Sequence, residues 1–243
     1  MLRFIDISDW QNGIDLEHVA ASLDAVAVKA TQGESYVSEC CDYWIQKLKK
    51  MGKSWGFYHF ADSRTDPRSQ ASYFIANCSN YFGEGIPILD WEDLYENGEL
   101  VSSPTIDWVN SFVDQVHKLT NVWPWVYGNP WRFAQGQLNQ NCAVWVADYP
   151  EVASPRFEDA ENWQCPEANG NVVAWQFCSD GKLGGYGGNL DLDLFYGNKE
   201  QWAAYAKGDN RIGGAANSSD NNGNAAVVLE NDEMKVTVEV KNG

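Results

Sequence analysis

Residues 54–93 read SWGFYHFADSRTDPRSQASYFIANCSNYFGEGIPILDWED, and this stretch decides the fold. It contains a short run of aromatic residues, then an amphipathic segment at 66–78, then a second apolar run that ends on an acid. Two strand-like runs separated by a helix-like segment are typical of a βαβ unit, in which the strands are parallel. The stretch therefore predicts an α/β protein.

The same alternation extends in both directions along the chain. Eight strand-like runs occur in order: RFIDIS, AVAVKAT, SWGFYHF, IPILDWED, WPWVYGN, CAVWVADY, VVAWQFC and NLDLDLF. Amphipathic segments lie at 42–52, 66–78 and 104–119, whereas the last gaps are poor in helix pattern. Five β/α units followed by three strands predict an irregular (β/α)5(β)3 barrel of the TIM-like kind. An open doubly wound sheet is the alternative, but no glycine-rich phosphate loop supports it.

The composition changes near residue 207. Residues 207–224 are mostly Gly, Asn, Ser and Asp, which is typical of a flexible linker. Residues 225–243 alternate apolar and polar side chains, which predicts a β-hairpin tail or the start of a truncated C-terminal module. We therefore expect residues 1–206 to form the barrel.

Composition limits the partners. The 243 residues carry a net charge of −17, which disfavours binding to nucleic acid. No run of 18 apolar residues occurs, so we expect no membrane insertion. Six cysteines without a C-x-x-C pair and only three histidines predict no metal site, and they leave the disulfide state open. Twelve tryptophans suggest stacking on sugar rings, with simple core packing as the alternative.

Polar and aromatic residues stand at the C-terminal ends of the strand-like runs. They are Asp6, Lys29, Thr31, Tyr58, His59, Asp90, Glu92, Tyr127, Asn129, Trp145, Asp148, Trp175, Gln176, Asp191 and Asp193. In a barrel, these ends converge on one mouth, where the active site lies. A cluster of acids there would be costly through charge repulsion unless the protein uses it. His59 is interpreted as a hydrogen-bonded wall residue rather than a metal ligand.

Among these strand-end acids, Asp90 and Glu92 have the spacing that is most specific for a catalytic pair. They lie at positions i and i+2 of a strand, so both side chains face the same way, with Cα atoms roughly 6.6 Å apart. Trp91 between them points toward the helices. Two such carboxyls suit glycosidic cleavage, which needs one protonated acid and one charged partner. Glu92 has the longer reach and is the expected general acid, while Asp6 and Asp191 become neighbours if the barrel closes.

Eight blocks of sequence occur in order between residues 3 and 198: FIDISDWQNGID, VKATQG, GFYHFA, PILDWE, VYGN, WVADY, WQF and GNLDLDLFYG. In these blocks the chain resembles the glycoside hydrolase family 25 muramidases. This is the type of lysozyme found in phage endolysins and in some bacteria and fungi. The resemblance implies hydrolysis of the β-1,4 bond between N-acetylmuramic acid and N-acetylglucosamine in bacterial peptidoglycan, without a cofactor.

The resemblance also implies roles for particular residues. Glu92 becomes the acid/base, Asp90, Asp6 and Asp191 complete the acidic site, and Tyr58 and Tyr127 line the saccharide groove. Further substrate contacts are expected from Lys29, Trp145, Trp175 and Gln176. The family's last strand often reads VDLN where this chain has LDLD. Asp193 therefore replaces an amide and either adds a charge near the site or points to solvent.

The sequence leaves the mechanism open. In one route the N-acetyl group of the substrate attacks the anomeric carbon and Asp90 orients it; in the other, Asp90 or Asp191 activates a water. The alternative function is a catalytically inactive sugar-binding barrel, although the presence of Glu92 argues against it. A chitinase-like hydrolase would need a D-x-x-D-x-D-x-E run, and a metal-dependent deacetylase would need clustered histidines; neither pattern occurs.

The N-terminus, MLRFIDISDWQNG, shows no signal peptide. We therefore expect either a phage endolysin that stays cytoplasmic until a holin releases it, or a secreted enzyme whose signal has been removed. In both cases we expect a monomer that acts on peptidoglycan at the bacterial cell wall.

Overall fold

The computed structural model of this protein describes residues 1–208. Its strands are β1 (Leu2–Ile7), β2 (Ala25–Gln32), β3 (Tyr36–Val37), β4 (Ser54–Phe60), β5 (Ile86–Asp90), β6 (Leu94–Glu96), β7 (Glu99–Ser102), β8 (Trp125–Gly128), β9 (Ala143–Ala147), β10 (Asn171–Gly181) and β11 (Leu190–Phe195). Its helices are α1 (Leu16–Ala20), α2 (Cys41–Lys50), α3 (Pro67–Cys78), α4 (Ile106–Thr120), α5 (Pro130–Phe133), α6 (Phe157–Ala160) and α7 (Lys199–Ala206).

Eight of the strands close into a barrel, as the sequence predicts. The order is β1-β11-β10-β9-β8-β5-β4-β2, and β2 pairs with β1 to complete the circle. Strand β3 adds to the edge of β2, and β6 and β7 form a separate hairpin. Seven barrel strands run parallel, but β11 is antiparallel to both of its neighbours. Asp191 therefore enters the mouth from the N-terminal end of β11, with Asp193 one layer below it, which corrects the expected place of both acids at a C-terminal strand end.

The three helices predicted by amphipathic spacing are present with nearly the predicted bounds. In α2, Trp44, Ile45 and Leu48 are buried against the barrel. Asp66 caps α3 by accepting hydrogen bonds from the next turn, and proline follows it as the first helical residue. Helix α4 begins after Thr105, whose side chain caps it in the same way.

Helix α7 was not predicted, and it closes the lower end of the barrel. Its Trp202 and Tyr205 are buried against Phe4, Trp125 and Phe195. Seven of the twelve tryptophans are buried in this way or in the layer between barrel and helices. Most of the aromatic excess therefore stabilises the core, and within residues 1–208 this packing leaves the opposite end of the barrel open.

Some sequence predictions concern residues outside this description. The predicted linker beyond Gly208 and the predicted hairpin at 225–243 lie there. Within residues 1–208, no helix has both the length and the apolar character needed to cross a membrane. All six cysteines lie in this part of the chain, and none of them forms a disulfide.

Candidate active site

A cavity of about 260 Å³ opens at the mouth of the barrel, close in size to typical small-molecule sites. Nine of the predicted site residues line it: Asp6, Lys29, Tyr58, Asp90, Glu92, Tyr127, Trp145, Gln176 and Asp191. Five further residues complete the wall: Ser8, Trp10, Phe60, Ile88 and Tyr149. The structure therefore brings the predicted carboxyls together.

Strand pairing places the carboxyls around the mouth. Asp6 on β1 and Asp191 on β11 are direct cross-strand partners. Asp90 is the last residue of β5, and Glu92 follows two residues later. The chain stays extended between them because the Trp91 amide donates to the carbonyl of Tyr127, 3.0 Å away. Both acids therefore face the cavity.

Trp91 anchors the other side of this segment, as predicted. Its ring is fully buried and meets the ring of Phe133 edge to face. Its indole N–H donates to the carbonyl of Pro104 at 2.7 Å. Because this side chain is fixed between barrel and helices, the backbone on either side of it holds Asp90 and Glu92 in place.

Arg132 on α5 fixes the loop that follows Glu92. The guanidinium is almost fully buried and forms an ion pair with Asp93. It also donates to the Ser103 hydroxyl and to the carbonyl of Pro104, both at 3.3 Å. Since Arg132 is a positive charge close to Glu92, it lowers the pKa of that carboxyl.

Burial raises the pKa of every cavity carboxyl, and repulsion from neighbouring cavity carboxyls adds to the increase at Asp6, Asp90 and Asp191. The pKa values of Asp6 and Asp90 lie well above their usual range, chiefly through burial and secondly through the charges of Asp191 and Glu92 respectively. Burial, and then repulsion from Glu92, raise the pKa of Asp191 to about 7. The pKa of Glu92 is also raised by burial, although its side chain reaches solvent through the open side of the cavity. The cluster therefore retains protons near neutral pH and titrates as a coupled unit.

Lys29 is the cation that faces this acidic cavity. Burial lowers its pKa, while Asp90, Asp9 and Glu92 act in the opposite direction. The ammonium donates to Gln32 at 2.7 Å and lies 4.8 Å from the centre of the Phe60 ring. Its charge in turn lowers the pKa of Asp90, so that it favours the carboxylate form of that residue.

Gln176 links the aromatic wall to the acids. The Tyr127 hydroxyl donates to its side-chain oxygen at 2.8 Å, and the Tyr149 hydroxyl donates to the same oxygen. These two bonds orient the amide so that its nitrogen donates to Asp6 at 2.7 Å. Gln176 is therefore a positioning residue for Asp6.

Trp175 is a correction to the predicted site. Neighbouring residues on a strand face opposite ways, so Trp175 must point outward when Gln176 points inward. Its ring lies in the outer layer near Trp163 and Phe177, and its N–H donates to the backbone carbonyl of Asp148. It does not line the cavity.

Other strand-end residues also face away from the cavity. A bulge after Lys29 turns Thr31 outward, where it bonds His59 at 2.8 Å. His59 is fully buried, bonds Gln70 on its other ring nitrogen, and has its pKa lowered to about 4 by burial. This is the wall role predicted for it. Asn129 caps α5, and the side chain of Asp148 is exposed. Within residues 1–208, no His, Cys, Asp and Glu cluster has the arrangement of a metal site.

Sequence reasoning missed Trp10 and Tyr149. Trp10 lies in a single 3₁₀ turn after β1 and is 88% exposed, which is unusual for so large an apolar ring. It borders both the main cavity and a second one that Tyr36 lines. Both missed residues lie in loops beyond a strand end, where alternation gives no signal. The only hint was that each residue is an aromatic inside a quoted motif, Trp10 in FIDISDWQNGID and Tyr149 in WVADY.

A closed α/β barrel with paired carboxyls at its mouth defines a protein of the glycoside hydrolase class. Comparison with known proteins agrees with this assignment. The family model "Glycosyl hydrolases family 25" matches residues 5–186, and the chain belongs to this family.

Individual relatives support the same placement. The chain is 29% identical over 168 residues to the N,O-diacetylmuramidase of Chalaropsis sp, a match that covers 64% of this chain and 78% of the relative. The solved bacterial lysozyme from Streptomyces coelicolor has the same fold, with a TM-score of 0.68 at 22% identity, covering 86% of this chain and 98% of that one. The CTP1L endolysin matches with a TM-score of 0.60 at 25% identity, covering 86% and 70%.

Proposed function

We propose that this protein is a lysozyme that hydrolyses the β-1,4 bond between N-acetylmuramic acid and N-acetylglucosamine in bacterial peptidoglycan. The main observation behind the proposal is that four acids lie in one cavity of a family 25 chain: Asp6, Asp90, Glu92 and Asp191. The name of the Chalaropsis relative, N,O-diacetylmuramidase, supports muramic acid as the sugar on one side of the bond.

Glu92 is the general acid in this proposal. Burial raises its pKa, so the carboxyl keeps its proton nearer to neutral pH than an exposed glutamate does. The nearby charges of Arg132 and Lys29 limit this increase and leave the group able to release the proton. Its side chain reaches the open side of the cavity, where it can donate to the oxygen of the leaving sugar.

Asp90 acts on the other side of the bond. One of its carboxyl oxygens, Oδ1, is buried and has no hydrogen-bond partner. A carboxylate oxygen there can accept the N–H of a substrate acetamido group and orient its carbonyl toward the anomeric carbon. The acetamido oxygen then forms a bond to that carbon as the glycosidic bond breaks, and water later opens the cyclic intermediate. In the competing route, Asp90 or Asp191 removes a proton from an attacking water.

Digestion of purified peptidoglycan, with mass spectrometry of the new ends, tests the proposed specificity. Reducing muramic acid ends are expected, whereas reducing glucosamine ends or free peptides would contradict the assignment. Proton NMR of the first-formed anomer separates the two routes, because the acetamido route retains configuration and direct attack by water inverts it.

The proposal extends to the rest of the chain. Residues 1–206 would form the catalytic domain, with 207–224 as a linker and 225–243 as a hairpin tail or part of a further module. The enzyme would act as a monomer at the bacterial cell wall. Its similarity to the CTP1L endolysin supports release from a phage-infected cell, and secretion is the other route. Lysis of intact cells from outside, compared with lysis from within on co-expression of a holin, distinguishes the two routes.

A further inference from the structure

Asp193 is a buried acid that the proposed mechanism does not use. It lies two residues after Asp191 on β11, so its side chain also points into the barrel, one layer below the mouth. The residue is completely inaccessible to solvent. The sequence left open whether it adds a charge near the site or faces solvent, and its burial rules out solvent.

Only one of its two carboxyl oxygens has a hydrogen-bond donor. The indole N–H of Trp145 donates to Oδ1 at 3.0 Å. Oδ2 is buried without a partner. An ionised carboxylate would leave this oxygen both charged and unsatisfied, which is among the most unfavourable arrangements in a protein interior.

The groups around Asp193 make the ionised form still less favourable. Within residues 1–208, the charges that act on it are those of Asp6 from β1 and Asp191 from β11, and both are negative. The neighbouring strands β10 and β9 present the neutral side chains of Gln176 and Trp145. Beyond β9, Tyr149 adds a phenol whose own pKa is raised. Across the cavity lie Asp90, Glu92, Tyr58 and Tyr127. Lys29 interacts there with Asp90, Asp9 and Glu92.

If Asp193 carries a proton, Asp6 is the residue that accepts the hydrogen bond from it. The two carboxyls interact through a hydrogen bond. Asp6 already accepts an N–H from Gln176, whereas Oδ2 of Asp193 has no donor, so the proton that the two carboxyls share is better placed on Asp193. Gln176 adds a second donor to Asp6 at 2.7 Å. Two donors therefore converge on Asp6 from below the cavity.

We propose that Asp193 stays a neutral carboxylic acid in the working enzyme and that its O–H donates from Oδ2 to Asp6, which it holds as an oriented carboxylate. Asp193 is thus a positioning residue, not a catalytic one. The tuning of Asp6 matters for turnover only if the proposed lysozyme function is correct, but the protonation state of Asp193 can be measured without any substrate.

The test compares the wild type with Asp193→Asn and Asp193→Ala. Asparagine keeps a donor toward Asp6 without a titratable group, whereas alanine removes the donor. Infrared difference spectra at neutral pH should show the carbonyl stretch of a protonated carboxylic acid that the wild type has and Asp193→Asn lacks. Equal carboxylic acid bands in the two proteins would overturn the proposal.

Thermal unfolding gives a second test, because the Tm difference between wild type and variant would not depend on pH if Asp193 had only a structural role. The pKa of Asp193 is raised on folding, so its contribution to stability is full below the unfolded pKa and is lost as pH rises toward the folded value. The Tm of Asp193→Asn should therefore exceed that of the wild type by an amount that grows between about pH 4 and pH 8, from the reference pKa of Asp upward. A Tm difference that stays constant with pH would contradict a protonated Asp193.

Kinetics then test the link to Asp6. Loss of the donor in Asp193→Ala raises the pKa of Asp6, so the acid limb of kcat/KM should move up by about one pH unit. Asp193→Asn should leave that limb in place. A uniform loss of rate in Asp193→Ala without a shift of the limb would show that the residue only packs. If Asp193→Ala does not fold, the infrared and unfolding comparisons with Asp193→Asn still decide the protonation state.

Discussion

Replacing Glu92 with glutamine tests the proposed general acid. The change keeps the size of the side chain and removes the proton that the leaving sugar oxygen needs. General acid catalysis typically contributes 10²–10⁴-fold, or about 2.7–5.5 kcal/mol of barrier. Asp6, Asp90 and Asp191 remain in the cavity, so binding should persist while kcat falls at least about a hundredfold.

The structure also predicts how Glu92→Gln changes the pH profile of the residual activity. Burial raises the pKa of both Asp90 and Asp191, and the charge of ionised Glu92 adds to the increase, which brings the pKa of Asp191 to about 7. Over the acid limb, Glu92 still carries its proton and is as neutral as glutamine, so that limb should stay in place in the variant. The alkaline limb, which reports loss of the Glu92 proton, should disappear.

The assay measures the release of reducing ends from purified peptidoglycan between about pH 4 and pH 9, a range that spans the reference pKa values of carboxyl groups and histidine. Glu99→Gln is the matched control, because Glu99 is exposed on β7 and does not line the cavity. It should retain activity within about twofold of the wild type, as expected for a surface substitution. If Glu92→Gln retained more than a tenth of the wild-type turnover, Glu92 would not be the general acid, and the role would pass to Asp191 or Asp6.

Three further predictions concern other parts of the molecule. Arg132→Met removes the buried cation that pairs with the partly exposed Asp93, so it should destabilise the fold by about 1–3 kcal/mol in urea titrations. It should also move the alkaline limb of the rate profile to higher pH, because the guanidinium lowers the pKa of Glu92. Trp10→Ala should raise KM by roughly fivefold through loss of about 1 kcal/mol of stacking, with little change in kcat or Tm. Tyr43→Ala, at an exposed ring on α2, should leave KM unchanged. Truncation after Gly208 should leave activity on soluble muropeptides within about threefold, because the strands that close the barrel end before it, and a large fall in Tm would show that the tail completes the core.

The sequence predicted the barrel because alternating runs of strand and helix leave few topologies open. It also predicted that Asp6 and Asp191 become neighbours, and the pairing of β1 with β11 confirms this. The direction of β11 was not predicted, since an apolar strand pattern reads the same in both directions. The side chain of Asp191 nevertheless reaches the mouth, because it lies near the start of an antiparallel strand.

The site differs from the prediction at two kinds of position: where strand alternation decides which way a side chain faces, and where no local pattern does. Trp175 and Gln176 are adjacent on one strand, so period-two alternation excludes one of them from the cavity. Lys29 and Thr31 should share a face by the same rule, but a bulge turns Thr31 away, and no residue type announces that bulge. Trp10 lies in a turn, where the direction of a side chain depends on tertiary contacts.

The concentration of acids at the mouth also determines how stability depends on pH. Asp6, Asp90, Glu92, Asp191 and Asp193 all have a pKa that is raised on folding. Above about pH 4, the reference value for carboxyl groups, these five acids therefore bind more protons in the folded protein than in the unfolded chain, and the stability that they contribute falls as pH rises from there. Replacing one of these acids by its amide should stabilise the fold near neutral pH even where it abolishes turnover. The cluster thus lowers stability in the range where the enzyme is proposed to work, and the same burial of carboxyls that lowers it keeps a proton on Glu92 for the glycosidic oxygen.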